Sequence, residues 1–131
     1  MKTHALRLRP GEDVKLALKT FTAEKGIKAG AIVTAVGSLS QASLRYAGRP
    51  TATRIQGDME ILALVGTLCP DGPHLHLTVG DADGKTLGGH VMDGCIVRTT
   101  CELVISEYDN FTFTRELDPA TGYQELVVNT R

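Results

Sequence analysis

Apolar residues run first with period two, then with a helical period, then with period two again to the end of the chain. Thr3 to Leu8 ("THALRL") alternate and predict a first strand, broken by Arg9-Pro10-Gly11. From Glu12 to Lys25 the apolar residues Val14, Ala17, Leu18 and Phe21 fall at i, i+3, i+4 and i+7, one face of a helix. Glu12 and Asp13 suit the positive end of that helix, Lys25 suits its last turn, and Gly26 suits the left-handed position after it. The rest predicts strands. "AGAIVTAVGS" is a buried strand of small residues, and "ASLRYA" is a second one with Leu44 and Tyr46 opposite Arg45. Asp58 to Leu68 forms a long strand, "HLHLTVG" and "TLGGHVM" are two strands joined by "DADGK", and "CIVRTTCELVISEY" is long and strongly β. "NFTFTREL" follows a turn at Tyr108–Asn110, and "DPATGYQELVV" opens in turn chemistry and ends in a short strand. One helix ahead of seven or so strands is an α+β fold with a mostly antiparallel sheet. Such a sheet is large for one helix to cover, so it must curl or bury its second face against other subunits.

A length of 131 residues allows one core, and residues 1–131 are expected to form a single domain. The net charge of -1 argues against a domain whose main work is neutralising phosphates, although a local basic patch stays open. Cys69, Cys95 and Cys101 are odd in number and include no C-x-x-C pair, which disfavours a disulfide framework or a thiolate zinc knuckle. Cys95 and Cys101 sit in apolar alternation and read as small buried hydrophobes. "MKTHALRLRP" has no apolar core of a signal peptide, and no apolar run approaches the roughly 20 residues that span a bilayer. A reducing cytoplasm and no membrane partner are expected.

Three of the four histidines fall within "PDGPHLHLTVGDADGKTLGGH", from Pro70 to His90. Strand alternation puts His74 and His76 on one face, with Leu75, Leu77 and Val79 on the other. Asp83-Gly84 is a hairpin signal. A two-residue loop there pairs Leu77 with His90 and turns His90 to the wrong face. A slip of one residue, through a three-residue loop or a bulge, sets His90 opposite His76. Gly88-Gly89 offers that bulge, and without it His90 is expected to face away.

Three neutral imidazoles on one face are the ligand set of zinc or another divalent transition metal, with a fourth position left open. A polar solvent face carrying histidines for no special reason accounts for the spacing equally well. Glu60 alternates with Leu62 and Leu64 and is the candidate catalytic residue, as a fourth ligand, a partner to a histidine or a proton shuttle. The bland alternative is a strand-edge carboxylate in water. His4 has no partner in sequence and is expected at the surface.

"GTLCPDGPHLHLTVGDADGKTLGGHVMDGCIVRTTCELVI" resembles the central signature of the PPC domain (plants and prokaryotes conserved), and the opening "LRLRPGEDVKLALKTFTAEKGIKAGAIVTAVGSLSQASLRYA", "GDMEILALVG" and "DPATGYQELVV" extend the resemblance over essentially the whole chain. The resemblance implies an α+β protomer that assembles as a homotrimer. In plants the domain is fused to AT-hooks that enter A·T-rich minor grooves. Stand-alone prokaryotic members are often labelled DNA-binding proteins. An AT-hook centres on R-G-R-P, whereas "YAGRPTATR" has Ala47 in place of the first arginine and reads as a loop between strands. The fold also resembles that of acetolactate decarboxylase, which binds zinc through an H-x-H pair and a later G-G-H histidine. Carried onto matching positions, this makes His74, His76 and His90 the metal ligands. The activity does not carry over, because the further catalytic residues of that enzyme have no recognisable counterparts here. Arg45 or Arg98 is a candidate for an anionic ligand near the metal.

Two functions follow as expectations. One is a homotrimer with a three-histidine divalent-metal site that binds or acts on a small molecule. The other is a regulatory protein that binds DNA. A structural trimer stapled by metal is a blander third.

Overall fold

The computed structural model describes residues 1–131 as eight strands and one helix. Their order is β1 (Lys2–Leu8), α1 (Val14–Lys25), β2 (Gly30–Arg45), β3 (Thr53–Leu68), β4 (His74–Gly80), β5 (Thr86–Val91), β6 (Ile96–Glu107), β7 (Phe111–Asp118) and β8 (Tyr123–Thr130). Mostly antiparallel sheet with one short helix is the α+β arrangement that the periodicity predicts.

Helix α1 begins at Val14 because Asp13 is its N-cap. One Asp13 oxygen accepts the Leu16 N–H at 3.1 Å, and the other accepts the Gly94 N–H at 2.6 Å. The cap therefore also fixes the helix to the turn before β6. Glu12, expected inside the helix, lies outside it and accepts the Arg9 N–H at 2.6 Å. Gly26 ends the helix with φ 65°, the left-handed conformation expected of it. Val14 and Leu18 are buried in the main core.

The main sheet runs β1-β6-β2-β3-β4-β5, every pairing antiparallel. "AGAIVTAVGS" and "ASLRYA" are one 16-residue strand, β2, rather than the two that were expected. Register shifts against β6 at Ile32/Thr34, Gly37/Leu39 and Leu39/Gln41 bend it without ending it. The bend carries the far end of β2 onto β5, where Leu44 pairs with Val91 and Arg45 with His90. Strands β2 to β5 thus close into a ring, which meets the need for the sheet to curl. Leu39, Leu44, Leu75, Val79, Val91 and Leu103 fill the interior. All three cysteines are buried and free, and burial pushes the Cys101 thiol up to about 11.

Strands β7 and β8 form a separate hairpin. Phe113 seats it on Ala29 and Cys69. The Arg115 N–H donates to Asp71 and its guanidinium to Thr67, both at 2.8 Å, so the hairpin is anchored beside the β3–β4 turn. No helix is long and apolar enough to cross a membrane.

His4 departs from expectation. Its Nε2 lies 2.7 Å from Glu107 Oε2, and its ring meets Phe21 edge-on at 5.6 Å. The partner was invisible in sequence because it sits 103 residues away, diagonally across the β1–β6 ladder.

Candidate metal centre

His76 lies directly opposite His90, and the ladder continues without interruption through Leu77↔Gly89 and Thr78↔Gly88 to Gly80↔Thr86. Gly88-Gly89 is therefore not a bulge, and the expectation that His90 depends on one is overturned. The slip comes from the loop. The Asp81 N–H donates to the Lys85 carbonyl at 2.8 Å, which leaves Ala82, Asp83 and Gly84 as a three-residue turn. Gly84 takes φ 77°, the left-handed position that such a turn requires. Asp81 Oδ1 accepts the Asp83 and Lys85 N–H groups, each at 2.9 Å, and holds the turn from within.

Gly89 serves a different purpose. A Cβ there would stand 2.8 Å from the Arg45 carbonyl oxygen. Its absence lets β2 approach β5 and bring Arg45 alongside His90.

The three histidines converge. Ring centroids are 5.2 Å apart for His74–His76, 5.1 Å for His74–His90 and 5.8 Å for His76–His90. Each offers a nitrogen, and these nitrogens lie within 4.8 Å of one another. Ligands of a tetrahedral zinc are spaced at about 3.3 Å, from bonds of about 2.0–2.1 Å, a distance within reach of small ring rotations. None of the three rings hydrogen-bonds to a protein group, in contrast to His4 with Glu107. Leu75, Leu77 and Val79 fill the opposite face, as the alternation predicts. His74 and His90 are half-buried and His76 is exposed, so the cluster stays open on one side.

Electrostatics keep the imidazoles available as ligands. Burial, then the charge of Arg45, lowers His90 to about 4. Burial, then Arg115, lowers His74 below its ordinary value. Both are neutral near pH 7, the protonation state that a metal requires.

The cluster lies in the wall of a cavity of about 720 Å³. Arg45, Tyr46, Arg49 and Tyr123 share that wall. Of the two arginines considered for an anion, Arg45 is at the site. Arg98 lies elsewhere, paired with Asp58 at 3.1 Å. Glu60 is exposed, pairs with Gly80 and Ser38, and is absent from the cavity wall. A register shift between Ile61 and Ala63 breaks the assumed alternation, leaving Leu64 buried and Leu62 more than half exposed. Within one chain Glu60 does not join the histidines, which corrects the expectation that it faces their enclosure.

Arg115 and Tyr123 were not anticipated. They arrive on the β7–β8 hairpin, whose docking on Ala29 and Cys69 leaves no trace in local periodicity. Tyr46 and Arg49 belong to the loop after β2, whose arginine, glycine and proline drew attention only as an altered AT-hook.

These features define an α+β domain built around an H-x-H strand paired with a G-G-H strand. The chain belongs to the Plants and Prokaryotes Conserved (PCC) domain family, whose model matches residues 1–109. This is the PPC family that the signature resembles. The bifunctional protein GlmU of Synechococcus sp. (strain JA-3-3Ab) is 48% identical over 126 residues, 96% of this chain and 20% of that protein. The chain thus spans about a fifth of the length of the curated GlmU relatives it matches. A hypothetical protein from Salmonella enterica superposes with a TM-score of 0.96 at 45% identity, covering 99% of this chain and 94% of that one. A metal-containing protein from Archaeoglobus fulgidus does so with a TM-score of 0.83 at 27% identity, covering 97% and 94%. A Staphylococcus aureus protein similar to alpha-acetolactate decarboxylase shares the fold, with a TM-score of 0.55 at 18% identity over 83% of this chain and 54% of that one.

Proposed function

We propose that His74, His76 and His90 hold a divalent transition metal, zinc by the nature of the donors, and present it to a small molecule in the adjoining cavity. The observation that carries this reading is the convergence of three imidazoles whose nitrogens lie within 4.8 Å of one another. The metal-containing relative from Archaeoglobus supports it. When bound, such a metal polarises a carbonyl or activates a water. The chain's own contribution is a fixed hairpin register, two imidazoles held neutral, and one side left open.

Metal analysis of protein purified without a histidine tag tests the reading. About one metal per chain is expected, with loss of that metal in His76→Ala. No metal at any stoichiometry would sink it.

We further propose that the working form is a homotrimer. Val33 and Val36 on β2, with Leu62 and Val65 on β3, are each more than half exposed on neighbouring strands. An apolar patch of this kind marks an interface. A role for Glu60 at the metal would have to come from a neighbouring subunit. The DNA-binding alternative draws on a protein from Bacteroides thetaiotaomicron described as DNA-binding, similar with a TM-score of 0.84 at 26% identity. Against it stand the net charge of -1 and the placement of Gly48, Arg49 and Pro50 of the AT-hook-like segment in the wall of the histidine cavity.

A further inference from the structure

The cavity beside the histidines contains no carboxylate. Its wall includes Arg45 and Arg49 and no Asp or Glu. Neither arginine has a carboxylate within ion-pair distance; the four ion pairs of the chain are Met1–Asp109, His4–Glu107, Lys15–Asp93 and Arg98–Asp58. Asp71 and Glu125 line a second concavity, which shares Arg45, His74, His90 and Tyr123 with the first and adds a third arginine, Arg115. Across the two concavities three arginines stand against two carboxylates, the first wall carries arginines and no carboxylate, and a divalent metal on the histidines would add to the positive excess. An anion is the ligand that such a field selects.

The rest of the wall narrows the class. Ala63 and Val65 give it an apolar flank, which suits an organic body rather than a bare inorganic ion. A helix N-terminus is a common phosphate seat, but the single helix here has its first turn capped by the Asp13 carboxylate. Arg45 is half-buried, stands opposite His90 in the β2–β5 pairing and lines the same cavity, so a carboxylate taken by its planar fork would lie beside the histidines.

We infer that the ligand of this cavity is a small organic carboxylate, its anionic end held by Arg45 and Arg49 beside the three histidines and its apolar body against Ala63 and Val65. This rests on the metal-site reading and names the ligand class that goes with it.

Cobalt(II) loaded in place of zinc provides a visible spectrum, and three probes distinguish the chemistry: butyrate, its neutral isostere butyramide, and inorganic phosphate. Cobalt uptake is read by equilibrium dialysis. Butyrate is expected to shift the spectrum saturably, with butyramide inert and phosphate weaker. Arg45→Gln is expected to weaken butyrate by about tenfold or more, the scale of one charge-assisted hydrogen-bond pair, while cobalt is still taken up. Arg49→Gln, on an exposed loop, is expected to weaken it less, and serves as the second variant if Arg45→Gln disturbs the sheet. Equal response to butyrate and butyramide, or unchanged butyrate affinity in both variants, overturns the carboxylate assignment and leaves the metal reading intact. Phosphate binding tighter than butyrate overturns the organic class. Failure to take up cobalt overturns the metal reading itself, and calorimetry of butyrate on the metal-free protein then decides the anion site alone: heat that disappears in Arg45→Gln supports it, and no heat removes it.

Discussion

Arg45 and His90 stand opposite each other in the short pairing that joins β2 to β5 and closes the sheet. Opposite residues of an antiparallel pair share a face, so the guanidinium and the imidazole act on each other directly. Burial is the larger reason that His90 is lowered to about 4, and Arg45 is the next. Arg45→Gln removes the second cause and leaves the first. In metal-free protein His90 is therefore expected to titrate above about 4 but still below the ordinary 6.5. Ring-proton NMR shifts against pH read this directly. An unchanged midpoint would mean that the guanidinium turns away from the ring.

The same depressed values set how metal-free protein responds to acid. An unfolded chain protonates His74 and His90 near 6.5, while the native chain resists until lower pH, about 4 for His90. Between those values the unfolded state binds more protons, so stability rises with pH there. The contribution is whole above about 6.5 and is lost as pH falls through about 4. Both rings are partly exposed, and solvent screening reduces the His90 contribution to roughly 1–2 kcal/mol. Urea unfolding at pH 7.0 and pH 4.5 is expected to show this loss, and His90→Gln is expected to remove most of it. Equal stability of the wild type at both pH values would contradict the assignment.

Zinc should add stability of its own near neutrality, where the imidazoles are free to bind it. A metal present at 100 times its Kd adds about 2.7 kcal/mol to stability if only the native state binds it. A rise of several degrees in Tm is expected for wild type and none for His74→Ala or His76→Ala. The same rise in either variant would place the metal elsewhere.

Two glycines of the hairpin separate local conformation from close approach. Gly84 has φ 77° and open space where a Cβ would go, so Gly84→Ala is expected to cost only about 1 kcal/mol for the left-handed backbone. Gly89→Ala would set a Cβ 2.8 Å from a backbone oxygen of Arg45 and force β2 away from β5. Its expected cost is larger, about 1–3 kcal/mol, as for overpacking a tight site. Zinc uptake should weaken in Gly89→Ala and persist in Gly84→Ala. The opposite order would imply that the loop, not the β2–β5 approach, holds His90 in place.

Those glycines also show where the sequence was legible. Alternation was enough to put His74 and His76 on one face, because strand period is a property of the backbone alone. The hairpin signal at Asp83-Gly84 located the turn, and one of the two routes considered for His90, the three-residue loop, is the one observed. Gly88-Gly89 was misread as a bulge because a strand glycine signals either a bulge or a close neighbour, and the neighbour is β2, more than 40 residues earlier. Glu60 was misplaced for a related reason: the register shift beside Leu62 resets the face that each later residue presents. Arg115 and Tyr123 depend on a hairpin docked through Phe113, a tertiary contact with no local pattern.

The exposed valines and leucine on β2 and β3 lead to the last expectation. Val36 and Leu62 are 58% and 54% exposed, an unusual position for apolar side chains in the middle of long central strands. Burial against another copy would give them a reason to be apolar. Wild-type protein is then expected to sediment as a trimer. Val36→Glu combined with Leu62→Glu would place two unpaired carboxylates from each subunit inside that contact, at several kcal/mol per buried charge. The double variant is expected to sediment as a monomer at micromolar concentration, with circular dichroism unchanged because both positions face away from the core. A wild-type monomer across that range would refute the trimer. A trimeric double variant would move the interface to another face, for which the exposed Leu117 and Val128 of the β7–β8 hairpin are the next positions to charge.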